Sequence, residues 1–550
     1  MDISAATTSS SSSTSDFYNT NTVTGLVDGI NVDSIVSGLM TAARAPEDTL
    51  DQQVQTLQWQ QQDYQTINTD LQSLQSTASN LKLQGTFLTK QASSSSSAVT
   101  ATAGTSALDT SHTISVSSLA TSANMTSASQ ITALTSDTAD LSSLNGLNLS
   151  TTPVTNSDGS TSNDVTFSLS DGTTTKDFSI DPSSQSLDDV INDINNSGLN
   201  VQASWDSTLQ RFYLTSTAAG SSNSITYTDE NGTNLMQTLL GTSSTTNTVS
   251  GTDAAVKVDG TSYNFDSNQF TINGVSYSLV GTIDANNPAT VTVSNDTSSV
   301  VSTIQSFVTA YNNTLTDVNN MLTQTVYSGY SPLTQDAITA KGLDSTEVDT
   351  WNTKAQSGQL NSDPLLQSVL NDLRDAMSTP VSGLSGTVSV SNGSQQVTAT
   401  ANQMGVIGLT TSSSYTSYGQ LTLNTDQLTQ ALQSNPQAVM ALFTTSLDSN
   451  GNLISDSSQQ GLATRLYNTL TNSISETTDK AGYSGELYDT SFIGQEIDSD
   501  NAQISTWDTR LNDLEQNYYT EYDAMEQTLS QMNTESSWLT EMFSSSSSSS

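Results

Sequence analysis

An apolar residue recurs at every seventh position through the last fifty residues of this chain: Ile497, Ile504, Leu511, Tyr518, Met525, Met532 and Leu539. A partial second row, Trp507, Leu514, Tyr522, Leu529 and Phe543, accompanies it, and most other positions are polar. This spacing predicts one long helix with a narrow apolar seam, as a coiled coil requires. At ~1.5 Å per residue the seam runs roughly 65–70 Å, too long for a single globular domain to bury. The segment therefore needs a partner, in the same chain or in other subunits.

A candidate partner lies at the other end. Leu50, Leu57, Tyr64, Leu71 and Ala78 repeat with the same period, and Ile67, Leu74 and Leu81 fill a second row. No Gly or Pro interrupts the stretch before Gly85. Upstream, Ile35, Leu39, Met40 and Ala43 form a shorter amphipathic piece that Pro46 is expected to end. An amphipathic stripe most often packs within its own chain. Its presence at both ends, its length and the Ser-rich tails (residues 1–23 and 544–550) point further, to assembly between chains.

Between the ends the period changes. After the serine run at 93–97, Ile114 and Val116 alternate with polar residues, as do Val165, Phe167 and Leu169, then Phe178 and Ile180. A short helix is expected from Leu187 to Ile194, capped by Ser186, followed by strands near 201–205 and 211–214. Phe270 and Ile272 alternate into Asn273-Gly274, and Val275, Tyr277 and Leu279 alternate out, which predicts a type I′ hairpin. Helical spacing resumes near Ser298 with Val300, Ile304, Phe307, Val308, Tyr311, Leu315, Val318 and Leu322, and again at 364–377. Residues 419–443 then read as strand, helix, break and helix, with Asn435 as N-cap before Pro436.

The fold class expected is α+β and multidomain: terminal helices form a coiled-coil or helical-bundle leg, with two β-rich domains inserted between the arms. In sequence order, 1–49 (tail and terminal helix) pairs with 491–550, and 50–91 pairs with 298–490. Segments 92–131 and 251–297 make one β-rich domain, and 132–250 makes the outer one.

Composition narrows the function. The 550 residues include 54 acidic against 12 basic, a formal net charge of −42, and no cysteine. Phosphate-rich nucleic acids and anionic membranes are poor partners for such a chain. No run of about twenty apolar residues is present, so no membrane insertion is expected. The N-terminus lacks the basic and apolar regions of a secretory signal and reads as a disordered tail. The single histidine, His112, falls on a predicted strand with no nucleophile or orienting carboxylate near it in sequence. Residues 448–459 begin like a calcium loop but carry Leu453 and Gln459 where Gly and Glu are required. No phosphate-binding or nucleophile-elbow motif occurs. No enzyme activity, metal or cofactor is expected.

Several segments, in order, resemble the bacterial flagellar filament capping proteins. They are 25–46 (GLVDGINVDSIVSGLMTAARAP), 111–127, and 189–220 with its Ile-Asn region. Further on come Phe307-Val308 with Tyr311-Asn312, 404–443, and the closing helix with Ala524-Met525-Glu526 and Gln531-Met532-Asn533. The turn at Asp28–Asn31 and Arg44 depart from the family pattern. The resemblance implies a homo-oligomeric, pentamer-like ring at the distal tip of the flagellum, although Met and Tyr at seam positions fit rings of several sizes. It implies flagellin, the hook–filament junction protein and an export chaperone as partners, and secretion through the flagellar type III route. Family members can also meet host mucus as the leading tip, but no adhesion motif is visible. On this reading the 497–539 row is an oligomerisation or flagellin-contact seam. Ile35, Leu39, Leu50, Leu57, Tyr64, Ile67, Leu71, Leu74 and Leu81 form its N-terminal counterpart. A hook–filament junction protein or an extracellular coiled-coil adhesin are the alternatives.

Overall fold

The computed structural model describes residues 32–144, 146–155, 159–392, 395–412, 418–448, 450–486 and 488–546. The serine-rich N-terminal tail, residues 25–31 of the family-like opening and the last four serines lie outside them. The described chain is α+β and forms two compact units. One comprises the residues up to Leu83 and from Thr303 onward, and the other runs from Gln84 to Ser302.

The first unit opens with α1 (Val32–Ala43) and α2 (Ala45–Lys82). As expected, α1 ends before Pro46; the proline itself sits in the first turn of α2, where its missing N–H has no intrahelical partner to lose. The other unit begins with α3 (Gln84–Phe87), β1 (Lys90–Ser94), β2 (Val99–Ala103), β3 (Ser111–Ser118) and β4 (Ser122–Thr126). Next come β5 (Thr152–Thr155), β6 (Thr161–Ser170), β7 (Thr175–Ile180), α4 (Leu187–Asn195), β8 (Val201–Asp206), β9 (Arg211–Ala219), β10 (Ser224–Asp229), α5 (Leu235–Leu240) and β11 (Thr246–Ser250). It closes with β12 (Ala254–Val258), β13 (Thr261–Phe265), β14 (Gln269–Ile272), β15 (Val275–Leu279) and β16 (Ala289–Asn295). Helix α6 (Thr297–Thr323) returns the chain to the first unit. There α7 (Gln335–Lys341), α8 (Ser345–Gln356) and α9 (Pro364–Ser378) are followed by β17 (Thr387–Asn392), β18 (Gln395–Thr400), β19 (Leu409–Thr411) and β20 (Leu421–Leu423). The chain ends with α10 (Thr425–Ser434), α11 (Pro436–Thr444), α12 (Leu462–Ala481) and α13 (Phe492–Ser546).

The β-rich unit holds two cores. Strands β1-β16-β3-β12-β13 form one sheet and β14-β15-β2 another, and Val99, Ile114, Val116, Val256, Tyr277 and Val291 share the core between them. The β14–β15 turn has φ 51° at Asn273 and 79° at Gly274, the positive values that a type I′ turn demands. The second core gathers Val165, Phe167 and Leu169 of β6, Phe212 and Leu214 of β9, and Val190 and Ile194 of α4. Helix α4 starts as the sequence predicts: Ser186 Oγ accepts from Asp189 N, and the Asp189 carboxylate accepts from Ser186 N. Strand β4 pairs with β9, so Ala123 and Met125 enter this second core, although their segment was expected in the first.

Asp171 fastens the second core. Its carboxylate accepts from Thr173 N and Oγ1 (2.9 and 2.7 Å), Thr174 N (2.8 Å), Asn200 N (3.1 Å) and Asn200 Nδ2 (3.2 Å). Burial opposes ionisation, but these donors outweigh it and hold the carboxyl well below its usual range. A carboxyl depressed in this way contributes stability above its unfolded value near pH ~3.9, lost as pH falls through the folded value. Asp171→Ala removes the charged acceptor that Thr173, Thr174 and Asn200 share and is expected to destabilise the β-rich unit by about 2 kcal/mol at pH 7. Chemical denaturation followed on Trp205, the one tryptophan of that unit, measures it, and the wild-type advantage should shrink as pH falls below ~4.

Candidate assembly interface

The first unit is organised by α2. A 38-residue helix without glycine or internal proline offers one continuous apolar face, and Leu57, Tyr64, Ile67, Leu71, Leu74, Ala78 and Leu81 are all buried. Each such large side chain contributes about 1.5–3 kcal/mol on burial. Tyr64 Oη donates to Asp363 Oδ2 (2.6 Å), while Asp363 Oδ1 caps α9 by accepting from Leu366 N (2.9 Å). Burial, followed by Asp363, pushes the Tyr64 hydroxyl far above its ordinary value. Thr314 of α6 reaches the Asp70 carbonyl, and Tyr311 reaches that of Leu373.

Two helices then dock on the N-terminal arm in succession, both antiparallel to it. For α12 the polar contacts run from Gln65 Nε2 to Ala481 O, through Asn68 Nδ2 to Thr478 Oγ1, to Gln75 Nε2 with Thr471 Oγ1. The Lys82 ammonium lies 3.7 Å from the centre of the Tyr467 ring. For α13 the register continues: Gln61 bonds Asp489 just before it, Glu47 meets Asp508, and Asp33 meets Tyr519. Between the two helices the chain reverses at Gly482 (φ 69°). A Cβ on Gly482 or on Gly494 would fall within 2.6 Å or less of the Asp489 side chain, so this corner needs glycine at both positions.

This geometry corrects the expectation that the whole 50–81 seam packs on the 497–539 row. Only the first turns of the 50–81 seam, with half-buried Leu50 and buried Val54 and Leu57, lie along the stretch that α13 covers. Tyr64, Ile67, Leu71, Leu74 and Leu81 belong to the stretch covered by α12, a helix that the sequence reading missed. The α12 stripe of Leu462, Leu466, Leu470, Ser473, Thr477 and Ala481 keeps helical spacing but is half small or polar, which hid it. The upstream face is also turned. Val32, Val36 and Met40 are buried, while Ile35 and Leu39 are exposed, because the i, i+4, i+8 row is the one that meets α13.

Along α13 burial decays. Ile493 and Leu511 are buried, and Leu511 closes a cluster with Val32, Val36 and Met40, ringed by Leu514, Tyr518, Tyr519 and Tyr522. Ile497, Ile504, Trp507 and Leu529 are half-buried. Met525 is 39% exposed, Leu539 47%, Met532 59% and Trp538 59%, and every side chain from 531 to 544 is exposed. At ~1.5 Å per residue the 55-residue helix is roughly 80 Å long.

Carboxyls accumulate at this interface. Glu47 is buried at the α2–α13 crossing, and its carboxyl is pushed up to about 7 by burial, then by a hydrogen bond to Asp508 and that group's charge. Asp51 is raised by burial, Asp48 and Asp508. Asp500 and Glu526 each keep one buried oxygen without a hydrogen-bond partner among the described residues.

Other sequence candidates behave differently. His112 on β3 does have an orienting carboxylate: Nδ1 lies 2.7 Å from Asp259 Oδ2, and Nε2 lies 3.0 Å from Thr110 Oγ1. Pairing of β3 with β12 brings in Asp259 from the β12–β13 turn, which no local reading of the sequence can see. Asp259 Oδ1 also accepts from Thr113 N (2.8 Å), so the group ties the turn to the strand. The Asp448 carboxylate accepts from Asn450 N and Asn452 N within its own turn. Among the described residues no group of three or more His, Asp or Glu is placed to hold a metal, and no helix is long and apolar enough to cross a membrane.

A folded β-rich insertion carried between antiparallel helical arms, one of them left apolar and exposed at its end, defines a structural assembly protein. Comparison with known proteins gives the family. The profile of the flagellar hook-associated protein 2 N-terminus matches residues 28–123, and that of the flagellar hook-associated protein 2 C-terminus matches 251–534, more than half of the chain. The chain belongs to the flagellar hook-associated protein 2 family. The flagellar hook-associated protein 2 of Halalkalibacterium halodurans is 28% identical over 550 aligned residues, 94% of this chain and 99% of its own. That of Thermotoga maritima is 25% identical over 64% of this chain and 52% of its own length. The D1-D2-D3 domains of the flagellar cap protein FliD from Escherichia coli share the fold, with a TM-score of 0.50 at 20% identity, covering 80% of this chain and 99% of that one.

Leu511→Ala should remove the centre of the α1–α13 cluster and weaken its docking by about 2–4 kcal/mol. Hydrogen exchange reads this directly. Protection should fall in α1 and the middle of α13 while α12 stays unchanged; undiminished protection in α1 would show that Leu511 is not its anchor.

Proposed function

We propose that this chain is a filament cap subunit. It forms a homo-oligomeric ring at the distal tip of the bacterial flagellum, where exported flagellin is retained, folded and inserted. The observation that carries this reading is the gradient along α13. Its first half is fixed on the chain's own N-terminal arm, and its second half presents Met525, Met532, Trp538 and Leu539 to the surroundings. Apolar rows of this length on a charged helix are stable in water when another helix covers them.

On this proposal the exposed row engages neighbouring subunits or flagellin, and the hook–filament junction protein is the neighbour at the start of filament growth. The same row is what an export chaperone covers before secretion through the flagellar type III channel, a route compatible with a chain free of disulfides. Half-buried Tyr and exposed Met side chains, rather than a fully packed Leu and Ile seam, suit contacts that break and reform as subunits are added. The net charge of −42 keeps such a surface soluble.

Deleting residues 525–546 should leave both compact units folded, with filament growth abolished and flagellin monomer released to the medium. Normal filaments from that deletion would overturn the proposal. Immunogold labelling of intact flagella separates the alternatives: the tip for a cap, the hook boundary for a junction protein, and the cell body for an adhesin.

A further inference from the structure

We propose that the α2–α13 crossing is a proton-dependent clasp: a carboxyl–carboxylate hydrogen bond between Glu47 and Asp508 holds the closing helix to the N-terminal arm, and losing its proton loosens that hold.

The geometry argues for this. Glu47 is 8% exposed, although it stands in the first turn of a surface helix. Two carboxyls joined by a hydrogen bond need a proton between them; with both ionised, the bond becomes a repulsion between like charges in a partly desolvated place. The surrounding groups do not offset it. From α2 itself Arg44 attracts, while Asp51 repels Glu47 and Asp48 adds to the field on Asp51. From α13 the facing group is Asp508. The only titratable side chain of α1, Asp33, faces Tyr519 further along. Two carboxylates, Asp508 and Asp51, therefore act on Glu47 against one guanidinium.

The position makes the proton consequential. Glu47 lies between two stretches of the arm. Beyond it α1 rests on α13 through the Leu511 cluster, and behind it α2 is held by α12 and buried aliphatic contacts. Loosening at Glu47 frees the outer stretch without disturbing the inner one.

The direction follows from the raised value. The docked state keeps a proton on Glu47 up to about pH 7, whereas a separated helix loses it near 4.5. Docking is therefore fully favoured below 4.5, weakens as pH rises through that window, and is weakest above about 7.

Hydrogen exchange on the full-length chain between pH 5.5 and 8.5, corrected for the intrinsic rate, tests the clasp. In the wild type, protection at 45–54 and 504–514 should fall about tenfold across this range, a one-unit effect after solvent screening. Peptides of the β-rich unit serve as the reference. Glu47→Gln keeps the shape and a hydrogen-bond donor, so its protection should be independent of pH. Asp508→Asn should move the wild-type midpoint to lower pH. A flat wild-type profile, an unchanged pH dependence in Glu47→Gln, or an unmoved midpoint in Asp508→Asn would each overturn the proposal.

Discussion

The antiparallel docking of α12 and α13 on the N-terminal arm is the constraint from which the rest follows. Helix α2 cannot bury its own apolar face, and the helix that covers most of it, α12, meets it across 410 positions of chain at Asn68 and Thr478. A contact over that separation closes a very large loop, whose entropy grows only slowly with length, so the intervening chain is free to fold as a unit of its own. That unit has the form such an insertion requires. Its first and last strands pair side by side, Lys90 opposite Asn295 and Ser94 opposite Val291, so its entry and exit points are neighbours.

Scarcity of positive charge shapes the packing. With 12 basic side chains among 550 residues, few are available for ion pairs, and they act where one charge serves two purposes. Lys82 and Lys480 stand in the last turns of α2 and α12, where the helix dipole favours a cation, and each also lies over an aromatic ring, Tyr467 and Phe492. Arg465 is buried and donates to the carbonyls of Ala376, Ser457 and Thr379, joining α12 to the end of α9. The acidic groups have no comparable supply of partners. Where they enter an interface, as Glu47 does, protonation or backbone donors must stand in for a counterion. Asp171 shows the second solution, with three backbone N–H groups on one carboxylate.

Elements whose own residues decide their conformation were legible in the sequence. Asn273-Gly274 forces its turn, Ser186 with Asp189 starts α4, and Asn435 accepts from Ala438 N to start α11. The α6 row is buried as its spacing predicts. What could not be read depended on partners remote in sequence. The true partner of residues 64–81 is α12, whose Ser473 and Thr477 disguise a buried stripe. The choice of Val32, Val36 and Met40 over Ile35 and Leu39 is made by α13, since both sets have helical spacing. Asp259 reaches His112 through strand pairing alone. Helices α7 and α8 carry too few apolar residues for periodicity to mark them.

The heptad row of α13 joins these themes, because one sequence period passes through three environments. Near Leu511 the row is core, and there its apolar character stabilises the subunit. Through Tyr518 and Tyr522 it is half-buried, and aromatic rings tolerate that position because one end of each is polar. Past Met525 the same row continues in Met532 and Leu539, which are exposed. A terminal stretch of some twenty residues gains little from helix propensity alone and is marginal in isolation. Its apolar side chains add nothing to the folding of the subunit while they face water. Whatever free energy their burial provides is therefore reserved for association, and under the proposed cap role that is where a growing filament needs it. Under that role the subunit folds on the first half of the seam and assembles on the second.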